Sequence, residues 1–229
     1  MIPALRAVFF DVDFTLIYPG PTFQAEGYER FCTSHGIRID ASRFNGAVEA
    51  ASAILDDEQD HVYRPEIFVR YTRRVIEAMG GTGERLDVCA REIYDEWAVC
   101  QHFFLYDDVA PVLRELSARG LVLGLISNSH RCLESFQTHF ELEGLIAAAV
   151  SSADHGYMKP HPSIFEAALA QAKVTAGESM MVGDSLAHDI EGARRAGMRG
   201  VLLHRSGTAA PRGNDLPVIT HLSELLGLI

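Results

Sequence analysis

The sequence predicts a doubly wound, Rossmann-like α/β domain, a parallel sheet with helices on both faces, interrupted early by a helical-bundle insertion. Three observations carry that expectation. An apolar tetrapeptide near the amino terminus stops abruptly at Asp11, later strand-like runs alternate with helical patterns, and the stretch between them lacks strand-like runs.

The first run, Ala-Val-Phe-Phe at 7 to 10, has no polar alternation. That is the signature of a strand buried on both faces, whose carboxyl end opens onto a site. Beyond residue 105, Val109, Val112, Leu113 and Leu116 recur at helical spacing, Arg119-Gly120 closes the helix, and a strand follows from Leu121 to Ile126. A helix near Arg131 to His139 leads to an apolar segment at Ala147 to Val150. Pro162 then marks a helix start, with Ile164, Phe165, Ala168 and Leu169 as its apolar face, and Met180-Met181-Val182 reads as the next strand. A helix from Asp189 to Ala196, a stop at Gly197 and a strand from Val201 to Leu203 complete the series.

Residues 17 to 105 break this alternation and read as helical throughout. Helices are predicted at Phe23 to His35 with Gly36 as terminator, Ser42 to Leu55, Pro65 to Met79, and Glu84 to Trp97. Gly80-Gly81-Thr82-Gly83 is a break, and the acidic run Asp56 to Asp60 reads as a solvated loop. The expected division is an α/β core of residues 1–16 and 106–229 and a helical domain of residues 17–105.

Composition narrows the function classes. A length of 229 residues accommodates one core of ordinary size plus a smaller insertion. The formal charge of -11 disfavours nucleic acid and anionic membranes as partners, since both need clustered cationic side chains. The basic residues are 18 Arg and only two Lys, Lys159 and Lys173, so a motif that needs lysine has few ways to arise by chance. Cys32, Cys89, Cys100 and Cys132 show no metal-ligand spacing, which suits reduced, mostly buried thiols. The amino-terminal stretch resembles neither a signal peptide nor a membrane span, and a cytoplasmic protein is expected.

In an open parallel sheet, ligands bind beyond the carboxyl ends of the strands. Four segments fall there: Asp11-Val12-Asp13-Phe14-Thr15, Ser127-Asn128, Lys159-Pro160, and Gly183-Asp184 followed by Asp189. Singly, each is compatible with an ordinary turn or cap. Jointly, they bring several carboxylates to one crevice, where mutual repulsion calls for a divalent cation.

Their order and spacing resemble the haloacid dehalogenase superfamily, whose members carry a D-x-D-x-T loop, a Ser or Thr loop, a Lys and a G-D-x-x-x-x-D loop. The string Gly183-Asp184-Ser185-Leu186-Ala187-His188-Asp189 matches closely, and the insertion is similar in position to a helical cap of the kind placed after strand one. The resemblance implies a Mg²⁺-dependent phosphohydrolase acting on a small phosphate ester. Asp11 is then the nucleophile that becomes phosphorylated and Asp13 the general acid/base. The metal is held by Asp11, the Asp13 backbone carbonyl and Asp184, with Asp189 in support. Ser127, Asn128 and Lys159 hold the phosphoryl group, and Thr15 fixes the loop. Phe14 departs from the Gly found in many members. Asp13 points to the phosphate-transferring branch, because members that cleave carbon-halogen bonds usually carry an aromatic there. A sugar-phosphate mutase, a 2-haloacid dehalogenase and a non-catalytic relative stand as alternatives.

Other polar and aromatic residues have ordinary readings. His130, His161 and His188 sit near the motif loops as surface or packing residues, and Asp154 and His155 are placed to support Lys159. Arg64, Arg70, Arg73 and Arg74 read as a solvated helix surface, and Tyr63, Phe68 and Trp97 as core of the insertion.

Overall fold

The structure, a computed structural model, describes residues 3–56, 60–205 and 216–229. Residues 57–59 of the expected acidic loop lie outside them. The chain divides into two units, one of residues 1–18 and 105–229 and one of residues 19–104.

The apolar tetrapeptide forms β1 (Ala7–Phe10), and all four of its residues are buried. A short strand, β2 (Ile17–Pro19), follows. The helical unit then runs through α1 (Ala25–Ser34), α2 (Phe44–Ala51), α3 (Ala53–Asp56), α4 (Pro65–Ala78) and α5 (Leu86–Glu96). The chain returns through β3 (Phe103–Leu105), which pairs with β2 as a two-stranded sheet. The expectation of helix throughout residues 17 to 105 is therefore corrected at both ends, where three-residue strands are too short to show a period of two.

Predicted helix boundaries shift for local reasons. The Ser42 to Leu55 helix is split: Asp40 caps a short 3₁₀ turn through Ser42, and the helix breaks again at Ser52, whose hydroxyl turns back to the Glu49 carbonyl at 2.7 Å. Pro65 begins α4 as expected, since its fixed φ and missing N–H suit the first helical position. Within this unit Phe23 packs on Trp97 and Phe103 with ring centroids 4.5 and 5.3 Å away, and Phe68 stacks on Tyr94 at 5.9 Å.

In the other unit, α6 (Val109–Ala118), β4 (Val122–Ser127), α7 (Leu133–His139), β5 (Ile146–Ser151), α8 (Ser152–His155), α9 (Pro162–Ala172), β6 (Ser179–Gly183), α10 (Gly192–Arg195), β7 (Arg199–Leu203) and β8 (Val218–Ile219) follow in turn. Gly120, at φ +81°, ends α6 in a left-handed turn that a residue with a Cβ adopts only under strain. The six-stranded sheet runs β5-β4-β1-β6-β7-β8, and every neighbouring pair is parallel. This is the doubly wound α/β architecture that the alternation predicts. Strand β8 has no sequence signal, being two residues long after Pro217.

Strand β1 lies centrally because it is apolar on both sides. Ala7 and Phe9 join Ile126, Val150, Ile164, Phe165 and Met181 in one buried cluster, while Val8 and Phe10 are fully buried as well. Each of these side chains larger than alanine contributes roughly 1.5–3 kcal/mol over its exposed state. In register, Phe10 stands beside Leu125 of β4 and Val182 of β6, so Asp11, Ile126 and Gly183 come next together at one edge of the sheet. That register assembles the site.

Candidate active site

Asp11 leaves β1 with its backbone N–H still bonded to the Val182 carbonyl at 2.9 Å, which fixes its direction. Lys159 reaches it from the loop before α9. The Lys159 ammonium donates to Asp11 Oδ1 at 2.6 Å and to the Ile126 carbonyl at 2.7 Å, and lies 2.7 Å from Asp189 Oδ1. Two of the three N–H donors of the ammonium are thus taken by Asp11 and the Ile126 carbonyl, and Asp189 faces it as an ion-pair partner. The lysine, Asp11 and Asp189 are all buried.

Asp189 is brought here by an irregular turn. Where a plain helix from Asp189 was expected, a π-type turn spans Leu186–Glu191 and α10 begins only at Gly192. The Ser185 N–H donates to Asp189 Oδ2 at 3.0 Å, folding the carboxylate back onto Gly183. A Cβ at Gly183 would stand 2.2 Å from that oxygen, so only glycine permits the approach.

The carboxylates of Asp11, Asp184 and Asp189 each offer an oxygen within 4.8 Å of the others. Burial pushes the Asp11 carboxyl up to about 7, with Asp189 and Asp13 adding to the rise against the pull of Lys159. Burial likewise raises Asp184 to about 8, helped by Asp11 and Asp189. Burial alone would lower Lys159, but Asp11 and Asp189 reverse this and hold it above the ordinary lysine range. One ammonium thus faces three carboxylates, an excess of negative charge in hard oxygen donors that fits a divalent cation such as Mg²⁺.

The remaining predicted residues take more specific places. Asn128 embraces the backbone of Lys159: its amide donates to the Lys159 carbonyl at 2.9 Å and accepts from the Lys159 N–H at 2.7 Å. Both ends of the amide are thus on the lysine, which makes it a clamp for that residue. Ser127 is buried at the end of β4, its hydroxyl 2.9 Å from that of Ser129. Thr15 is fully buried, with Oγ1 3.5 Å from Asp184 Oδ1. Asp154 and His155 do not brace Lys159 as expected: Asp154 accepts from Ser151 Oγ at 2.6 Å, and His155 bonds Ser163 at 2.8 Å. His161 caps α9 through Ser163, and His188 lies 3.2 Å from the Ser185 hydroxyl, both local structural roles.

Phe14 explains its own oddity. Its φ is +64°, a left-handed conformation that glycine adopts freely and a bulky residue does not.

Two arginines belong to the site that sequence reasoning missed. Arg131, buried, donates through Nη1 to both Asp13 oxygens at 3.0 and 2.9 Å. Arg205 donates from Nε and Nη2 to the Thr15 carbonyl at 3.1 and 2.9 Å and grips Asp108 at 3.0 and 2.9 Å, with its guanidinium 3.9 Å over the Tyr106 ring. Asp108 also accepts the Leu222 N–H at 2.7 Å. Arg205 stands two residues beyond β7, so the strand-end rule that singled out Asp11 would have found it. Nothing local marks Arg131.

A parallel α/β sheet with an acidic, lysine-containing crevice at its strand ends defines a class of enzymes that handle anionic substrates or their leaving groups. The model of the haloacid dehalogenase-like hydrolases matches residues 5–197, and the chain belongs to that family. It is 28% identical to N-acylneuraminate-9-phosphatase of Mus musculus, covering 98% of this chain and 94% of that one. It is 31% identical to haloacid dehalogenase-like hydrolase domain-containing protein 3 of Xenopus laevis, where the match takes in 50% of this chain and only 47% of that protein. Among solved structures, the 2-haloacid dehalogenase from Pseudomonas syringae pv. Tomato DC3000 superposes with a TM-score of 0.65 at 28% identity, covering 98% of this chain and 97% of that one. No helix among the described residues is long and apolar enough to cross a membrane.

Proposed function

We propose that the chain is a Mg²⁺-dependent phosphohydrolase of small phosphorylated metabolites, working through a phosphorylated Asp11. The observation that carries this is the buried triad of Asp11, Lys159 and Asp189 at the strand ends, with Asp184 beside it. A buried carboxylate held at 2.6 Å by an ammonium is oriented as a nucleophile, and nothing about folding alone calls for so much converging charge.

The phosphate monoester repels Asp11 until its charge is offset. A divalent cation held by Asp11, the Asp13 carbonyl and Asp184, with Asp189 in support, supplies that neutralisation when bound. Lys159 turns one of its three N–H groups to a phosphoryl oxygen, and Ser127 binds another through its hydroxyl. An Asp11 oxygen bonds to phosphorus as the ester oxygen departs with a proton from Asp13. Water then attacks phosphorus, returns a proton to Asp13 and frees Asp11. Thr15 and Asn128 fix the loop and the lysine. The helical unit, residues 17–105 in the sequence reading, serves as the cap that chooses the leaving group.

Phosphate release from a panel of phosphorylated metabolites, with Mg²⁺ and with EDTA, tests this reading. The relatives place N-acylneuraminate 9-phosphate on the panel, and the likeness to the Pseudomonas dehalogenase places a 2-haloacid beside it. Metal-dependent phosphate release from at least one ester is the expected result. Halide release without any phosphate release would overturn it, as would an isomerised sugar phosphate as the sole product.

A further inference from the structure

A guanidinium sealed from solvent costs several kcal/mol unless it has an essential partner. Arg131 is such a group: its side chain is 0% exposed, whereas that of Asp13 remains 18% exposed. A single nitrogen, Nη1, lies 3.0 Å from one Asp13 oxygen and 2.9 Å from the other, which anchors the carboxylate through both oxygens and sets its direction.

The loop that carries Arg131 is itself fastened. The Arg131 N–H donates to Ser129 Oγ at 3.4 Å, and the Ser129 carbonyl accepts from Ser152 Oγ at 3.3 Å and from the Ala153 N–H at 3.2 Å. The arginine thus connects the acid/base carboxylate on the β1 loop to the frame after β4 and β5. Its side chain has no exposed surface and meets the site through Asp13.

We infer that Arg131 is the positioning residue of Asp13, holding its carboxylate in line with the departing ester oxygen. The inference rests on the phosphohydrolase reading above. In the first half-reaction, the Asp11 oxygen bonds to phosphorus, the ester P–O bond breaks, and the leaving oxygen takes its proton from Asp13. A misaimed Asp13 therefore penalises leaving groups that need a proton and spares those that depart as stable anions.

The test compares kcat/KM, which reports the steps through formation of the phosphorylated enzyme, for an alkyl phosphate and for p-nitrophenyl phosphate. Arg131→Gln should lose about 30-fold or more on the alkyl ester and no more than about 3-fold on the aryl ester, short of the roughly 10²–10⁴-fold of full general acid catalysis because Asp13 itself is kept. Asp13→Asn should show the same skew, and adding Arg131→Gln to it should cost nothing further. Equal losses on both esters, or a further loss in the Asp13→Asn background, would overturn the inference and make Arg131 a structural or phosphate-binding residue. If the glutamine variant does not fold, Arg131→Lys, which keeps the charge but places the donor nitrogen differently, should show a smaller skew in the same direction, and a uniform loss there is equally decisive against it. A wild-type protein that releases phosphate from no ester of the metabolite panel, or an active one whose Asp13→Asn variant shows no skew, would instead bring down the phosphohydrolase reading beneath.

Discussion

Both units carry exposed ion pairs such as Arg119 with Glu115, but the α/β unit also buries several charges. In the α/β unit, Asp11, Asp108, Arg131, Lys159 and Asp189 are buried, and each meets its counterpart in an ion pair. In the helical unit, Arg64 pairs with Asp60, Arg73 with Glu77 and Asp87, and Arg91 with Glu66, all with largely exposed side chains. Exposed pairs of that kind contribute about 0–1 kcal/mol, while a buried pair must offset the loss of hydration on both sides. A fold gains little from burying charge, so the unit that does so is the one whose chemistry requires it.

The comparison would break first at the nucleophile. Asp11→Asn replaces a buried carboxylate by a neutral isostere, so the fold should survive while turnover falls by at least about 10³-fold. Substantial activity in that variant, measured on the same substrate, removes Asp11 from its role. Next comes the lysine. Lys159→Met leaves Asp11 and Asp189 facing each other without their cation and should lower stability by roughly 3–5 kcal/mol in denaturant titrations, beside a near-complete loss of activity. A variant as stable as wild type would show that the ammonium is not what balances these carboxylates.

The metal should reveal itself through pH. In the metal-free protein, Asp11 and Asp184 hold protons up to about 7 and about 8, whereas the unfolded chain releases them near about 4. The folded state therefore binds the extra protons inside that window, and its stability in EDTA falls as pH rises through it. Mg²⁺ takes the place of those protons, so the gain in Tm on adding it should be larger at pH 8.5 than at pH 5.5. An equal gain at both would detach these carboxylates from metal binding.

Two smaller effects sharpen the contrast. Phe14→Gly should relieve left-handed strain and raise stability by up to about 1 kcal/mol in thermal melts. Destabilisation would mean that contacts of the phenyl ring outweigh the backbone. Arg73→Ala, on the surface of α4, should cost under about 1 kcal/mol and leave the hydrolysis of p-nitrophenyl phosphate unchanged.

What the sequence disclosed follows from how local each signal is. Strand β1 and Asp11 were legible because an apolar run buried on both faces must end where the sheet ends. Asp184 was legible as a carboxylate just past a predicted strand, and Asp189 through the resemblance of the Gly183–Asp189 string to the family's loop. The turn's π character was not, since it depends on Ser185 meeting the Asp189 carboxylate over Gly183. Strands β2, β3 and β8 were hidden by their length. Arg131 was hidden for a different reason: its partner, Asp13, lies far away along the chain, and only the folded register brings the two together.

The most direct test of the central claim is to quench a reaction with acid during its first turnover, reduce the protein with borohydride and map the peptide that contains Asp11. An acyl phosphate is reduced to the alcohol, so the account predicts homoserine at position 11, dependent on Mg²⁺ and absent without substrate. A reduced residue found elsewhere in the chain, with position 11 aspartate throughout, would contradict it.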